Sequence, residues 1–363
     1  MFRFIHSSDL HLGKSFGNFP EDVRVRLQQA RLEAIGTLAA TARQSGARDV
    51  LLAGDTFDKL NAAPKVIRGA INAMKAADDV RWWVMPGNHD HANASELWRT
   101  FTRDAPENVH ALLRPEPVAL AEGVVLLPAP PTERHPGRDL TQWFNDAATG
   151  DALRIGLAHG SIRGFSAEEG GASILSPDRA RDAGLSYLAL GDWHGQLQVN
   201  ENTWYSGTPE ADSFKHAAAP SALVVELDGA HLRVTPQPTA RLRWRAVAVD
   251  LLGDEAEVPL PSEERTNTLM ALTLTGRARP ALRQRIEADF DQAAPDFLWA
   301  DLDLDALSLI HDTTDLDRID RQGALRAAAE TLAAEADDPS LAPDTRATAQ
   351  AALSLLFSYT EEA

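Results

Sequence analysis

Five short stretches of this 363-residue chain join an apolar or β-branched run to polar side chains beside a glycine. They are Asp9-Leu10-His11, Gly54-Asp55-Thr56-Phe57-Asp58, Gly87-Asn88-His89-Asp90, His159-Gly160 and Gly191-Asp192-Trp193-His194. Each run reads as a buried strand, so each delivers Asp, Asn or His to a strand end. In open sheets, ligands gather beyond the carboxyl ends of the strands. Carboxylate, amide and imidazole donors without sulfur suit manganese, iron or zinc and disfavour a calcium cage. Five such ends are what two neighbouring divalent metals need. A metal pair of this kind activates a water and neutralises phosphoryl oxygens during in-line displacement. Asp55, in the middle of the series, is the candidate bridge. Asp9 and His11 are two apart, so on an extended segment both side chains point the same way, and Asp192 and His194 repeat that spacing.

The elements that must position these residues are legible in outline. Residues 21–44 read as a helix, with acids in the first turn, an inner stripe of Leu27, Ala34, Ile35, Leu38 and Ala42, and Gly46 after its end. Strands at Asp49–Ala53 and Val80–Met85 bracket a helix over Pro64–Ala77. That alternation predicts right-handed crossovers and a largely parallel sheet with helices on its faces. Further strands are expected at Gly123–Leu127, Leu153–Ala158, Tyr187–Leu190, Ala222–Leu227 and Leu232–Thr235. Ser161–Ser176, with three glycines and the acids Glu168 and Glu169, reads as a mobile loop beside His159.

After Pro236-Gln237-Pro238 the character changes. Arg241–Leu251 and Thr268–Gly276 alternate like strands, Pro280–Phe290 reads as a helix, and acids are dense from Asp296 to Asp320. Two Ala/Leu-rich helices fill Gln322–Tyr359, separated by Asp337-Asp338-Pro339 and Pro343. The expected architecture is therefore α/β in residues 1–240, a small α+β domain in 241–315 and a helical tail in 322–363.

The formal net charge is −18, of which about −6 falls in residues 1–240 and about −12 in 241–363. A chain that held a polyanion on its own surface would show a basic excess. Metals, a local arginine cluster or a partner must therefore supply any attraction to nucleic acid. There is no cysteine, which excludes disulfides and Cys-zinc sites. No apolar run approaches the roughly 20 residues of a membrane span. With the strand-like start Met1–His6 and no basic-then-apolar leader, a cytoplasmic location is the expectation.

Taken in order, Asp-x-His, Gly-Asp-x-x-Asp, Gly-Asn-His-Asp, His-Gly and a final Gly-x-x-His resemble the calcineurin-like metallophosphoesterases across residues 9–194. Within that superfamily, Ser8-Asp9-Leu10-His11-Leu12-Gly13, the arginine-containing helix after it and Tyr205-Ser206-Gly207-Thr208-Pro209-Glu210 are similar to the SbcD-type DNA exonuclease group. The resemblance implies a metallophosphoesterase sandwich, central β-sheets flanked by helices, followed by a capping domain. It also implies a C-terminal helical segment that binds an SbcC-like coiled-coil ATPase, and a homodimer. Carried over position by position, Asp9, His11, Asp55 and His194 would hold one metal. Asp55, Asn88, His159 and Asp192 would hold the other, with two Mn2+ the expected pair. His89 would be the general acid for the leaving 3′-oxygen, while Asp58 and Asp90 orient neighbours through hydrogen bonds. The family usually shows Gly-His-x-His at the last motif. Asp192 stands at its first His, which brings harder oxygen chemistry and shifts the site toward manganese or magnesium.

The implied function is a DNA exo- or endonuclease acting in double-strand-break repair. Two rivals remain. One is a phosphoesterase for a small phosphodiester or phosphomonoester, which the acidic charge and Asp192 favour. The other is a scaffold with a degenerate site. Arg24, Arg26 and Arg31 read as a solvated helix face, Trp82-Trp83 as packing on both faces of a buried strand, and His91, His110, His135, His216 and His231 as surface or loop residues.

Overall fold

The computed structural model describes the whole chain except residues 165–173, 216–218, 230, 252–259, 310–322 and 362–363. It divides into two compact units, Met1–Arg243 and Trp244–Ala363. Part of the glycine-rich loop, with Glu168 and Glu169, lies outside the described residues, as do His216 and the acidic run from residue 310 to 322.

In the first unit, the elements that carry the early motifs come first. They are β1 (Phe2–Ser7), α1 (Glu21–Ser45), β2 (Asp49–Ala53), α2 (Pro64–Lys75), β3 (Arg81–Met85), α3 (Ser95–Asp104) and β4 (Val109–Ala111). A second group follows: β5 (Val118–Ala121), β6 (Val124–Ala129), β7 (Leu153–His159), the short β8 (Ser161–Ile162) and β9 (Ile174–Leu175), one helical turn α4 (Arg179–Asp182) and β10 (Tyr187–Gly191). β11 (Leu197–Asn200), β12 (Thr203–Tyr205), β13 (Ser221–Asp228) and β14 (His231–Pro238) close the unit.

These strands form two six-stranded sheets, ordered β14-β13-β1-β2-β3-β4 and β11-β12-β10-β7-β6-β5. The centre of each is parallel, as in β1·β2, β2·β3, β7·β10 and β6·β7. Three of the four edges are not: β13 returns antiparallel to β1, β14 to β13, β11 to β12 and β5 to β6, while β4 joins β3 in parallel. The first unit is thus the α/β sandwich of central sheets flanked by helices that the resemblance implied, with strands parallel at the centre of each sheet.

Side-chain alternation explains the layering. Ile5, Val50, Leu52, Trp82 and Val84 face α1, α2 and α3 through Ile35, Leu38, Ile67, Ile71 and Phe101. Their neighbours Phe4, Leu51, Ala53, Trp83 and Met85 point the other way, against Leu126, Ile155, Leu157, Tyr187 and Ala189 of the second sheet. Leu188 and Leu190 continue to the far side, where Phe144, Ala180 and Ala183 cover them. A strand buried on both faces has no polar position to spare. That is why Trp82 and Trp83 sit side by side in opposite layers, each stabilising its own core by roughly 2–3 kcal/mol.

A buried imidazole on β1 reaches from the first sheet to the second. His6 is fully buried, its Nδ1 lies 2.9 Å from the Tyr187 hydroxyl, and its Nε2 lies 3.1 Å from the Leu190 carbonyl oxygen. The neutral ring suits both partners, with Nε2–H donating to the carbonyl and Nδ1 accepting from the hydroxyl. Burial lowers its pKa from the ordinary 6.5 to about 3, against the Leu190 bond that raises it. Between those values the unfolded chain binds the extra proton, so this contribution is complete above 6.5 and lost as pH falls toward 3. Urea unfolding at pH 7 and pH 5 should show a loss of about 2 kcal/mol attributable to this ring. The His6→Gln variant should lack that part of the slope; an identical slope in the variant would refute it.

The second unit contains β15 (Arg243–Leu251), β16 (Thr268–Ala278), α5 (Pro280–Ala293), β17 (Trp299–Asp303) and β18 (Leu307–Leu309). Two further helices, α6 (Ala324–Asp337) and α7 (Pro343–Glu361), complete it. β17 and β18 pair in parallel with the two ends of β16. Leu272, Leu274, Ile286 and Phe290 form the core between this sheet and α5. β17 hides inside the acidic run because Asp301 and Asp303 point to solvent while Ala300 and Leu302 pack inward. Among the described residues, no helix is long and apolar enough to cross a membrane.

Candidate metal centre

Every motif begins where a strand stops. β1 ends at Ser7, β2 at Ala53, β3 at Met85, β7 at His159 and β10 at Gly191. The parallel centre of each sheet aligns these ends, and the sandwich brings the two sets together. Past the strands the backbone turns sharply. Asp9 (φ 56°), His11 (φ 43°), Asp55 (φ 53°) and Asp192 (φ 101°) all take left-handed conformations. Each costs of order 1–3 kcal/mol, and such strain collects at functional sites. Asp9 and His11 are therefore not two positions on an extended segment. The turn is held by Asp9 N donating to Gly54 O (3.1 Å) and His11 N to Asp55 O (2.9 Å).

The result is convergence. His11 Nε2 and His194 Nε2 are 3.1 Å apart. Asp55 Oδ2 lies 3.6 Å from His11 Nε2 and 3.6 Å from His159 Nε2, and so stands between the two halves of the site. Asp192 Oδ1 is 3.7 Å from His159 Nε2 and accepts from Asn88 Nδ2 at 3.3 Å. Donor atoms of Asp9, His11 and His194 lie within 4.8 Å of one another, as do those of Asp9, Asp55 and His159. A third such group is His11, Asp58 and His89. All seven residues expected as ligands, and His89, therefore share one neighbourhood.

The donor set fits divalent cations. His159 Nδ1 donates to Ala53 O (2.8 Å), which leaves the Nε2 lone pair facing Asp55 and Asp192. That buried Nε2 and the buried Asn88 Oδ1 have no hydrogen-bond partner. Unsatisfied buried acceptors cost about 1–3 kcal/mol each, and a cation would satisfy both. Without one, protons compensate. Burial opposes the charge on His159, yet Asp55, Asp192 and Asp9 outweigh it and raise its pKa well above 6.5. Burial likewise opposes ionisation of Asp55, but His159, His11 and His89 hold its pKa below the usual carboxylate range. Asp192 is raised from 3.8 by burial, with Asp9 and Asp55 adding to the effect and His159 opposing it. Cation binding at such a site must displace protons.

Glycine makes the crowding possible. A methyl group on Gly87 would overlap the Asp55 carboxylate and backbone nitrogen, and one on Gly54 would come within 2.7 Å of the His159 ring and 2.8 Å of Gly87 Cα. Asp90 staples two loops, accepting from Gly87 N (2.6 Å) and Phe57 N (2.9 Å). Asp58 stands 3.4 Å from His11 Nδ1, and its carbonyl oxygen lies 3.1 Å from His89 Nδ1.

Several residues not expected as ligands brace the site. Arg31 is 1 % exposed, not on a solvated face. Its guanidinium donates to Leu10 O (2.6 Å), Asp9 O (2.8 Å), Glu210 O (3.0 Å) and Thr208 Oγ1 (3.3 Å). Its place four residues after Leu27 and four before Ile35, inside the apolar stripe, was the available signal. Asp212 lies 3.5 Å from His194 Nδ1 and accepts from Lys14 Nζ, while Ser8 Oγ donates to Asp9 Oδ2 (2.5 Å). Arg31→Met should cost about 3 kcal/mol or more, since bonds from a charged donor are worth about 1.5–3 kcal/mol each. It should also weaken metal binding by about 10–100-fold. Urea unfolding and a metal titration check both, and unchanged metal affinity would refute the positioning role.

Known proteins resemble the chain. A family model described as calcineurin-like phosphoesterase matches residues 2–196. The chain is 24 % identical over 264 residues to the uncharacterized metallophosphoesterase YhaO of Bacillus subtilis (strain 168). That match takes in 68 % of this chain and 63 % of YhaO, so the chain spans less than two thirds of its relative. The crystal structure of TT1561 of Thermus thermophilus overlaps 65 % of this chain and 98 % of its own, with 12 % identity and a TM-score of 0.43.

Proposed function

Because the chain belongs to the calcineurin-like phosphoesterase family, we propose that it is a metal-dependent DNA nuclease that hydrolyses phosphodiesters and works with an SbcC-like coiled-coil ATPase. The family hydrolyses phosphoesters with divalent metals. The observation that carries the metal reading is the Asp55 carboxylate, 3.6 Å from an imidazole nitrogen on either side, with the His159 Nε2 lone pair unsatisfied. Asp9, His11, Asp55 and His194 would hold one ion, and Asp55, Asn88, His159 and Asp192 the other. When bound, the pair supplies an activated water and charge neutralisation at the phosphoryl group.

The chain's own residues set the rest. Asp55 fixes the loop opposite by accepting from His89 N (2.9 Å). His89 Nδ1–H donates to the Asp58 carbonyl oxygen (3.1 Å), which leaves Nε2 as the atom that would protonate the leaving 3′-oxygen. The His89 ring stands edge-on to His11, with centroids 4.9 Å apart, which limits its swing. Asp192 is held by Ser161 Oγ (3.1 Å) as well as Asn88, and its carboxylate favours Mn2+. The net charge of −18 makes the isolated chain a weak DNA binder, and the ATPase docked on α6 and α7 supplies the basic surface.

The same acidity favours a second reading, hydrolysis of a small phosphoester. Manganese-loaded protein assayed on 3′-ended duplex DNA and on bis-p-nitrophenyl phosphate separates the two. Turnover of the DNA supports the nuclease; turnover of the small ester alone removes it.

A further inference from the structure

In the second unit, a cavity of about 500 Å³ opens where the ends of β16 and β18 meet the start of α5 and the α6–α7 hairpin. Its charged lining consists of Arg277, Arg283 and Arg346, with Ser308 and Gln350 beside them and no carboxylate among the described residues. Residues 241–363 are the more acidic part of a chain of net charge −18, so three guanidinium groups sharing one cavity run against the local composition. Like charges this close repel unless an anion joins them.

The existing partners do not neutralise the group. Arg283 Nε pairs with Glu287 at 3.0 Å along α5. Neither Arg277 nor Arg346 has an ion-pair partner within 4 Å among the described residues. Arg346 Nε is buried and makes no hydrogen bond. The acid that feels its charge is Asp338, whose carboxyl is lowered first by Ser340 and only last by Arg346. Arg346 lies in the first turn of α7, whose free N–H groups add positive potential to the same space. Gln350 Nε2 donates to the Leu309 carbonyl oxygen, which ties α7 to β18 and fixes that wall.

We propose that this cavity binds a phosphate-bearing anion. Guanidinium forks match phosphoryl oxygens in pairs, and three of them suit a group with more than one negative charge. The volume exceeds that of a lone phosphate and accepts a diphosphate or two successive phosphodiesters of a strand. The site does not depend on what the metal centre hydrolyses.

The test is calorimetric titration of inorganic pyrophosphate into the full chain in EDTA. One saturable site per chain is expected. Binding should weaken at least 10-fold in Arg277→Gln, in Arg283→Gln and in Arg346→Gln, and should persist in Asp55→Asn. These arginines are exposed or half-buried, so their loss leaves the sheet core of Leu272, Leu274 and Phe290 intact. A short DNA single strand titrated in parallel identifies the source. If the same variants weaken its binding, the anion is a nucleic-acid backbone; if they do not, it is a free small phosphate. No saturable pyrophosphate binding, or binding unchanged in all three variants, overturns the proposal.

Discussion

His89→Ala is expected to lower kcat by about 10²–10⁴-fold on a phosphodiester whose leaving group is an alkoxide, the range ascribed to a positioned general acid. On bis-p-nitrophenyl phosphate, whose leaving phenolate needs no proton, the loss should be far smaller. His89 suits the test because its side chain ligates nothing in the proposed arrangement. Its backbone N–H, which the substitution keeps, holds Asp55 at 2.9 Å. The ring is half-buried and fixed through Nδ1 by the Asp58 carbonyl oxygen. Metal stoichiometry should therefore be unchanged. Equal losses on both substrates would show that the ring positions the site and moves no proton.

Gly87→Ala is expected to be as damaging, for a different reason. The added carbon would meet the Asp55 carboxylate and the Asp55 nitrogen, neither of which can yield. Asp55 is 2 % exposed, takes a left-handed φ and is held on one side by His89 N. Overpacking of this kind costs about 1–3 kcal/mol of stability. A displacement of about 1 Å at the residue proposed to serve both metals should cost at least about 10²-fold in kcat. Gly36→Ala is the control. It sits exposed within α1 with nothing within 4 Å of the new methyl, and should gain up to about 1 kcal/mol with activity intact. Thermal unfolding and steady-state kinetics on both variants check the pair, and full activity in Gly87→Ala would contradict the crowding seen around Asp55.

These glycines explain why much of the site was legible in the sequence. A strand that ends in Gly-Asp or Gly-Asn-His advertises both an exit from the sheet and the absence of a Cβ where ligands must crowd. The candidate donor types follow from the same short stretches, so Asp9, Asp55, Asn88, His159 and His194, which the structure brings together, could be singled out from the sequence. What could not be read is what braces them. Asp212 reaches His194 from a loop with no periodicity, eighteen positions further along. Arg31 looks like any helix arginine until its place in the Leu27–Ile35 stripe is noticed. Its partners, the carbonyl groups of Asp9, Leu10 and Glu210, leave no trace in side-chain type.

The fold shows the same division. Long helices and apolar strands are encoded by period and punctuation, so α1, α2, β2 and β3 lie within two residues of their expected bounds. Short elements fixed by tertiary pairing are not. β4 and β12 are three-residue strands that exist because β3 and β10 offer free edges. The antiparallel return of β13 onto β1 joins residues more than two hundred positions apart, and no local pattern announces it. The left-handed turns at Asp9 and His11 also defeat a reading based on alternation, since residues past the strand end no longer obey its period.

Two divalent ions meeting at Asp55 are the centre of the proposed chemistry. Equilibrium dialysis of the metal-stripped chain against Mn2+, followed by elemental analysis, tests this directly. Two ions per chain are predicted for the natural sequence, at most one for Asp55→Asn, and release of protons on binding. Fewer than two ions in the natural chain, or two retained in Asp55→Asn, would contradict it.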